Sequence, residues 1–486
     1  MTKKQEQKES HVNTRAIVLD MLMEILENKG KSHIVIKNVL DKYNYMDVQE
    51  KAFMKRLTEG TLERKIQLDY VIDSVSNTPV NKMKPLIRNL LRMSVYQLLF
   101  MDHIPDSAVC NEAVKLAQKR KFHSLKGFVN GVLRNIARSK AHIVYPDREQ
   151  EPVRYLSVLY SMPEWIIQMW LLDYGIERTE RLLAALLEEH PVTVRMRETL
   201  SEEEKEGVLL ELRAGGVSVE RHPYLPYAYV LTHTEGIGNL SAFRRGELYV
   251  QDVSSMFVAE CAGIRAGDYV LDVCVAPGGK SLHAAEKLLL AENGMKIQRE
   301  AGECADGQKE RKTCIAGCVE ARDVSGEKAE KLQENMERLQ IPNMKIRVQD
   351  ATVTDAFSVD KADVLFLDIP CSGLGIMGKK RDIKYNVEPE RVAELAVLQK
   401  NILRTCIPYV KKGGVVMFST CTIHKQENEE LLSWLLSEFP LETESLNAYL
   451  PACLHSETTE QGYIQFLPGE QETDGFFLAR LRRKNI

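Results

Sequence analysis

From Tyr249 onward, short apolar runs alternate with segments of helical periodicity. The runs read YVLDVCVA, CIAGCVEARD, MKIRVQDA, DVLFLDIP and GGVVMFSTCT. Strands that alternate with helices form βαβ units, whose right-handed crossovers place the strands side by side in a parallel sheet. We therefore predict an α/β fold for residues 246–486, built on a doubly wound, Rossmann-like sheet.

The chain before this region has a different pattern. Residues 12–140 carry apolar residues at helical spacing, and no strand-like alternation interrupts them. We predict an all-helical domain over residues 1–145. The polar stretch YPDREQEP contains two prolines and is typical of a linker. Residues 146–245 mix helical and strand-like segments, which predicts a linker and a small mixed α/β subdomain.

The first residues of the chain and its cysteines indicate the cellular compartment in which the protein is expected. The first residues, MTKKQEQKESHVNTR, are polar and do not resemble a signal peptide. No apolar run approaches the ~20 residues that a membrane span needs. We therefore expect a cytoplasmic protein without a membrane partner. In a reducing compartment its ten cysteines are expected to be thiols, either buried or reactive.

The net charge of −4 does not favour a general polyanion binder, but the charge is unevenly distributed. Residues 113–140 carry eight lysines or arginines and no acidic residue. A run of this kind is either a solvated helix face or a surface that binds phosphates. Its charge alone does not decide between the two.

A glycine-rich turn, LDVCVAPGGKS, stands where the first strand of the α/β region meets the first helix. Glycines let the backbone approach a ligand, and a helix N-terminus offers free N–H groups. The turn lacks the spacing of the dinucleotide fingerprint and the upstream glycine of a phosphate-binding loop. The predicted cofactor-binding residues of this turn are Cys274, Val275, Ala276, Pro277, Gly278, Gly279 and Lys280.

Three aspartates follow the next strands: Asp323 the second, Asp350 the third and Asp368 the fourth. The carboxyl ends of strands in a doubly wound sheet line one ligand-binding crevice. A carboxylate after the second strand commonly holds ribose hydroxyls, and one after the third can accept a hydrogen bond from adenine. Each aspartate alone could equally cap a turn or helix. Together they favour an adenosine without a polyphosphate, which indicates S-adenosylmethionine.

Two cysteines, Cys371 in DIPCSG and Cys421 in STCT, follow the fourth and fifth strands. A pyrimidine C5 is a poor nucleophile, but a thiolate added at C6 enables C5 to accept a methyl cation. This chemistry needs an activated cysteine, a nearby acidic group and a pocket that holds the base out of its stack. The pattern predicts Cys421, Cys371 and Asp368 as catalytic residues at the cofactor edge.

Five motifs resemble those of the RNA cytosine-5 methyltransferases of the Fmu/Sun group: VQDVSSM, LDVCVAPGGK, LDIPCSGLG, FSTCTIHKQENE and TDGFFLAR. The resemblance implies an S-adenosylmethionine-dependent methyltransferase domain in which Cys421 is the nucleophile and Cys371 assists product release. The family usually has alanine at the positions of Val275 and Ile369. Both differences are apolar and are expected to be tolerated.

The helical region has a resemblance of its own. LRMSVYQLLFMDHIPDSAVCNEAVKLAQ and GFVNGVLRNIAR look like NusB, a helical RNA-binding fold. The combination resembles a bacterial subgroup that methylates 16S ribosomal RNA. It implies that the basic run binds RNA. We also expect no DNA partner and a monomeric protein. The alternatives are a non-catalytic RNA-binding or assembly factor and a cytosine-5 methyltransferase of another RNA, such as transfer RNA.

An apparent insertion over residues 292–314 separates the first helix from the second strand of the α/β region. Its composition is polar, and we predict a surface loop. Cys304, Cys314 and Cys318 do not have the spacing of zinc ligands and have no accompanying histidine. We therefore predict no metal site.

Overall fold

The structure, a computed structural model, describes residues 12–188, 191–234, 236–275, 277–303 and 317–486. Contacts between residues divide the chain into two compact units. The first comprises Met1–Glu188 with Met377–Asn386, and the second comprises Glu189–Ile376 with Val387–Ile486. This division falls at 188/189, whereas the sequence suggested a boundary at 145/146.

The first unit is helical, as predicted for its N-terminal part. Its central helix is buried from Asn89 to Leu98 without interruption, as expected of a helix packed among others, although four of these residues are polar or charged. A close crossing with a neighbouring helix occurs at Gly60, where a Cβ atom would lie 2.0 Å from the Tyr96 ring. The helices are α1 (Thr14–Leu26), α2 (Ser32–Lys42), α3 (Val48–Glu63), α4 (Lys65–Val75), α5 (Pro85–Phe100, the central one), α6 (Asp106–Lys119), α7 (Lys126–Ser139), α8 (Pro152–Tyr160) and α9 (Glu164–Ala185).

The range of α9 comprises two helical segments that meet at a kink. Gly175 interrupts it with φ of 73° and ψ of 172°. A positive φ is favourable for glycine because it has no Cβ atom. The chain therefore forms one helical segment on each side of Gly175, with a sharp change of direction between them.

The segment Met377–Asn386 belongs to the helical unit although it is distant in sequence. Arg381 donates to the Glu63 carboxylate, and Lys384 donates to the Glu63 carbonyl at 2.8 Å. Tyr385 donates to the Leu62 carbonyl at 2.7 Å. Burial lowers the pKa of Lys384 to about 7. Sequence periodicity did not predict this packing.

The second unit begins with a small antiparallel sheet of strand order β2-β3-β1-β4. One helix packs on it and begins with a capping box, in which Ser201 and Glu204 satisfy each other's backbone N–H groups. This confirms the predicted mixed α/β subdomain. Its elements are β1 (Val192–Met196), α10 (Glu202–Ala214), β2 (Ser218–Arg221), β3 (Ala228–Thr232), α11 (Ser241–Arg244) and β4 (Leu248–Val250).

The large sheet of the second unit has the order β10-β12-β9-β8-β5-β6-β7, and β11 pairs with β12. The five neighbouring strands β5 to β9 are parallel, as predicted, whereas β10, β11 and β12 are antiparallel additions. The strands are β5 (Tyr269–Asp272), β6 (Cys318–Asp323), β7 (Met344–Val348), β8 (Ala362–Asp368), β9 (Val410–Thr420), β10 (Leu441–Thr443), β11 (Tyr463–Phe466) and β12 (Phe476–Arg483).

Helices cover both faces of this sheet. Along β8, Val364 and Phe366 pack in one core, and Leu365 and Leu367 pack in the other. Alternate residues of a strand point to opposite faces, so two cores identify a doubly wound fold. The first core includes residues of α12 (Val253–Ala262), α13 (Gly279–Glu303) and α14 (Gly326–Arg338), and the second includes residues of α16 (Pro389–Cys406) and α17 (Glu429–Glu438). Two further short helices are α15 (Ile383–Asn386), which belongs to the helical unit, and α18 (Glu457–Glu460) of the second unit.

The predicted surface loop over residues 292–314 is wrong for its first part. Helix α13 continues to Glu303, so residues 292–303 are helical, and the rest of the insertion lies outside the described residues. The glutamates, glutamine, lysine and arginine of residues 292–303 extend a helix readily in spite of two glycines, which the loop interpretation overlooked. In the described part of the chain, no helix has the length and apolar character needed to cross a lipid bilayer.

Candidate active site

The carboxyl ends of the parallel strands bring the predicted residues to one edge of the sheet. Asp272, Asp323 and Asp368 are the last residues of β5, β6 and β8, and Cys421 directly follows β9. In the sheet register, Asp272 stands opposite Phe366, two residues before Asp368. The edge therefore combines carboxylates with a thiol, as the sequence predicted.

The glycine-rich turn leads from β5 into α13, which begins at Gly279. Val275, Gly278 and Gly279 are buried, whereas Pro277 is exposed. Gly278 has φ of 105°, a backbone conformation that favours glycine. Ala276, which was also predicted to bind the cofactor, lies outside the described residues. The turn directs the N-terminus of α13 to the edge that carries the aspartates.

Asp272 stabilises this turn by accepting hydrogen bonds from it. The sequence analysis did not predict a role for this residue. Its carboxylate accepts a hydrogen bond from the Ser281 hydroxyl at 2.5 Å and one from the Cys274 backbone N–H at 3.3 Å. Burial raises the pKa of Asp272 to about 6, and burial also raises the pKa of the Cys274 thiol well above its ordinary value. The sequence signal that could have identified Asp272 was its position at the end of a strand, which it shares with Asp323 and Asp368.

The two remaining cofactor aspartates have different surroundings. Asp323 is buried and accepts a hydrogen bond from the Ser325 backbone N–H at 3.0 Å. Asp350 is exposed and accepts hydrogen bonds from the backbone and hydroxyl of Thr352, which lower its pKa. Asp350 therefore caps a turn, one of the two roles left open by the sequence. Asp323 is the better enclosed of the two.

Asp368 is held by two donors. The Lys280 ammonium donates to one carboxylate oxygen at 2.7 Å, and the Ser419 hydroxyl donates to the other at 2.9 Å. Burial would lower the pKa of Lys280, but the Asp368 charge outweighs it and raises the pKa. Lys280, predicted to bind the cofactor, thus contacts a predicted catalytic residue.

The two cysteines meet at this edge. The Sγ atoms of Cys371 and Cys421 are 3.2 Å apart, and both side chains are partly buried. The hydrogen bond to Cys421, followed by burial, raises the pKa of Cys371 well above its ordinary value. The structure therefore brings together two thiols that are fifty residues apart in the chain.

Backbone contacts fix the loop that carries Cys371. The Gly375 N–H donates to the Cys421 carbonyl at 3.2 Å, and the Gly475 N–H donates to the Gly375 carbonyl at 3.0 Å. A Cβ atom on Gly375 would lie 2.0 Å from the Gly475 carbonyl oxygen. The motif TDGFFLAR thus supplies Gly475, whose backbone packs directly against the loop that carries Cys371.

A buried polar network lies behind the cysteines. The Glu427 carboxylate accepts hydrogen bonds from the Ser372 backbone N–H at 2.9 Å and from the Gln399 amide at 2.8 Å. Gln399 also donates to the Pro370 carbonyl at 2.9 Å. Sequence reasoning did not single out these residues. The local signal was the position of Glu427 within the motif FSTCTIHKQENE, six residues after Cys421.

One group among the described residues has donor atoms close enough for a metal ion: Glu198, Glu260 and His283. The Lys287 ammonium lies 2.8 Å from Glu198 and also contacts Glu260, so these carboxylates already share a cation. The prediction of no metal site among Cys304, Cys314 and Cys318 stays a prediction, since the first two lie outside the described residues.

Comparison with known proteins defines the class. Residues 311–482 match the family described as 16S rRNA methyltransferase RsmB/F. Residues 12–138 match the NusB family, and residues 162–237 match the ferredoxin-like domain of RsmF/B-like methyltransferases. The predicted helical RNA-binding fold and the predicted methyltransferase domain are thereby confirmed.

The chain belongs to the ribosomal RNA small subunit methyltransferase B family. It is 34% identical over 475 residues to a probable member from Bacillus subtilis, covering 97% of this chain and 99% of the relative. A probable member from Synechocystis is 28% identical over 484 residues, covering 97% and 100%. A member from Cronobacter sakazakii is 28% identical over 478 residues, covering 97% and 99%. The resemblance found in the motifs is confirmed.

Two solved structures share the fold. The crystal structure of PH0851 has a TM-score of 0.77 and 23% identity, covering 97% of this chain and 99% of that one. The structure of NSun6 from Pyrococcus horikoshii with SFG has a TM-score of 0.56 and 20% identity, covering 68% and 100%. At these identities the likeness supports the fold.

Proposed function

We propose that this rRNA methyltransferase transfers a methyl group from S-adenosylmethionine to C5 of a cytosine in 16S ribosomal RNA. The reaction passes through a covalent bond between Cys421 and C6. The observation that carries the proposal is the 3.2 Å separation of the Cys371 and Cys421 sulfurs at the strand edge that also holds Asp323 and Asp368. Family membership supports the RNA substrate.

The proposed cofactor site consists of the glycine-rich turn and the strand-end aspartates. Asp323 would hold the ribose hydroxyls, and the positive φ of Gly278 brings the backbone close to the ligand. Asp350 would contact the adenine, although its present bonds go to Thr352. A protein of the same fold has been solved with SFG, an analogue of S-adenosylmethionine. The bound cofactor would supply a methyl cation from its sulfonium.

The proposed chemistry begins at Cys421. Its thiolate adds to C6 of the cytosine, and the ring electrons move to C5, which becomes nucleophilic. Asp368, held by Lys280 and Ser419, would act in its protonated form: it would donate its proton to N3, neutralising the charge that develops on the ring, and recover the proton once C5 has taken the methyl group. After C5 takes the methyl group, a base removes the C5 proton and the C6–S bond breaks. The electron pair returns to Cys421, and Cys371 assists this departure.

The proposed RNA surface is the basic run of α6 and α7. Lys119, Lys121, Lys126 and Arg134 are exposed, and within the described residues none of the four has a salt-bridge partner. Unpaired cations are available to phosphates without first breaking an internal ion pair. The paired cysteines disfavour the alternative of a non-catalytic binding factor, since such a factor has no use for them.

Bisulfite sequencing of ribosomal RNA from a deletion strain tests this proposal. We expect one protected cytosine of 16S rRNA to lose its signal, to regain it with the wild-type gene and not to regain it with Cys421→Ala. An unchanged 16S pattern would overturn the ribosomal assignment. Loss of a signal in transfer RNA instead would identify the alternative substrate.

A further inference from the structure

The loop that carries Cys371 rests on a single buried carboxylate. Glu427 has 1% exposure, and one of its oxygens accepts from the Ser372 N–H and from Gln399. The other oxygen accepts from the Ser372 hydroxyl and lies 3.4 Å from Nδ1 of His424. Because this hydroxyl has only one proton, the Thr422 hydroxyl at 2.7 Å must donate to it.

The same carboxylate is fixed to the loop that carries Cys421. Glu427 ends a turn of 3-10 helix, Lys425–Glu427, that begins four residues after this cysteine. The next residue, Asn428, donates to the Thr422 carbonyl at 3.0 Å and accepts from the Thr420 hydroxyl. Glu427 therefore joins both cysteine loops and is rigidly placed relative to each.

We propose that Glu427 is a positioning residue that determines which cysteine holds the proton. Its carboxylate keeps Cys371 as a thiol, so Cys421 is the sulfur that ionises and attacks. This inference rests on the proposed covalent mechanism. It explains why two adjacent thiols have different roles. The loops that carry the two cysteines are similar and would not by themselves account for this difference.

The charges around the pair support this assignment. Burial would raise the pKa of Glu427, but its interactions with His424 and Ser372 outweigh burial and lower it, so the carboxylate is ionised. The hydrogen bond to Cys421 and burial raise the pKa of Cys371, and the charges of Glu427 and Asp368 raise it further. A positive charge, that of Lys280, interacts with Cys421.

The consequence for the reaction is an S–H donor beside the nucleophile. With the proton on Cys371, its S–H donates to the Cys421 sulfur across the 3.2 Å separation. When the C6–S bond breaks, its electron pair returns to Cys421 as a thiolate, and this hydrogen bond stabilises the leaving group. No proton is transferred between the sulfurs, so Cys371 can assist product release in every cycle.

The test compares the thiols by alkylation. The full-length protein is given brief pulses of iodoacetamide between pH 6 and 10, and the modification of each cysteine is measured by peptide mass spectrometry. The thiolate is the reacting species, so the pH midpoint reports ionisation. In the wild type we expect Cys421 to react at lower pH than Cys371, and the reverse order would overturn the proposal without any variant.

Substitution of Glu427 separates charge from shape. Glu427→Gln keeps the size and loses the charge, and we expect the rate of Cys371 relative to Cys421 to rise about tenfold, equivalent to a shift of about one pKa unit. Glu427→Asp should restore most of the wild-type ratio. Ser372→Ala is the matched control, because it removes a hydrogen bond from the network and keeps the carboxylate.

The outcomes are distinct. A wild-type ratio in Glu427→Gln, or an equal change in Ser372→Ala, would overturn the role of the charge. The covalent mechanism is judged separately, by whether the wild-type protein forms a bond to RNA. If no such bond forms, the proposed covalent mechanism is wrong. The alkylation ratio would still show how Glu427 affects the relative ionisation of the two cysteines.

Discussion

At the scale of single residues, the buried Asp272 carboxyl joins the end of β5 to the first turn of α13. Burial raises its pKa to about 6 in the folded protein. In the unfolded chain its pKa is expected near ~3.9. The folded state therefore binds this proton more tightly. The resulting stabilisation is fully present below about pH 4 and is lost as the pH rises through about 6.

We predict that Asp272→Asn removes this pH dependence. The wild type should lose roughly 2–3 kcal/mol of unfolding free energy between pH 4 and 7 through this group, and the variant, which cannot titrate, should not. Urea unfolding at several pH values measures the difference. Asp41→Asn, on an exposed position of α2, serves as the control. Parallel pH profiles for wild type and Asp272→Asn would contradict the prediction.

A second prediction concerns the cofactor aspartates. Asp323→Ala should weaken S-adenosylmethionine binding about tenfold or more, since a hydrogen bond to a charged group contributes roughly 1.5–3 kcal/mol. Asp350→Ala should weaken it less, because this side chain is exposed and already bonded to Thr352. Titration calorimetry measures both affinities. Unchanged affinity in both variants would refute the proposed cofactor site.

At the scale of elements, the loop that carries Cys371 passes close to Gly475, the residue that precedes β12. This close approach depends on two glycines, Gly375 and Gly475. Gly375→Ala would place a methyl group 2.0 Å from the Gly475 carbonyl, and backbone cannot move aside cheaply. We predict a loss of roughly 1–3 kcal/mol or more of stability, together with loss of methyl transfer. Gly326→Ala is the control, because nothing lies within 4 Å of its Cβ position. Thermal unfolding that affects both variants equally would contradict this view.

The elements also show what the sequence could reveal. The strands β5 to β9 were predicted because each is a compact apolar run with a local signal. The ends of these strands then led to the prediction of Cys371, Cys421 and Asp368 as catalytic residues without knowledge of the packing. The antiparallel strands were not predicted as part of the sheet, because their pairing depends on partners far away in the chain.

The features that sequence reasoning missed are mostly tertiary. Glu427 is recognisable only through partners on three separate segments, and a buried acidic residue looks the same in sequence as an exposed one. The packing of Met377–Asn386 on the helical unit likewise has no local periodicity. Helix α13 is the exception, since its continuation beyond residue 292 was present in the local composition and was interpreted as a loop.

At the scale of the whole molecule, the basic run should govern how RNA binding depends on salt. Removal of residues 1–145 would also remove Glu63 and Leu62, the partners of Lys384 and Tyr385, so charge substitution is the cleaner test. The triple variant Lys119→Gln, Lys121→Gln, Lys126→Gln should flatten the slope of log affinity against log salt by ~0.7–0.9 for each phosphate that the protein no longer neutralises.

Filter binding at several salt concentrations measures this slope. The control neutralises three lysines that are exposed elsewhere on the helical unit, Lys37→Gln, Lys55→Gln and Lys82→Gln. An unchanged slope in the first triple variant would mean that the basic run is a solvated helix face. An equal change in the control would mean that only the total charge matters.

The central claim is that Cys421 forms the covalent bond and Cys371 ends it. The direct measurement incubates RNA of the small ribosomal subunit with cofactor and each protein, and follows protein–RNA complexes on denaturing gels. We predict no complex and no methylation for Cys421→Ala, and an accumulating complex for Cys371→Ala. Cys453→Ala, at an exposed cysteine, should match the wild type. A trapped complex with Cys421→Ala instead would contradict the account, because it would make Cys371 the nucleophile.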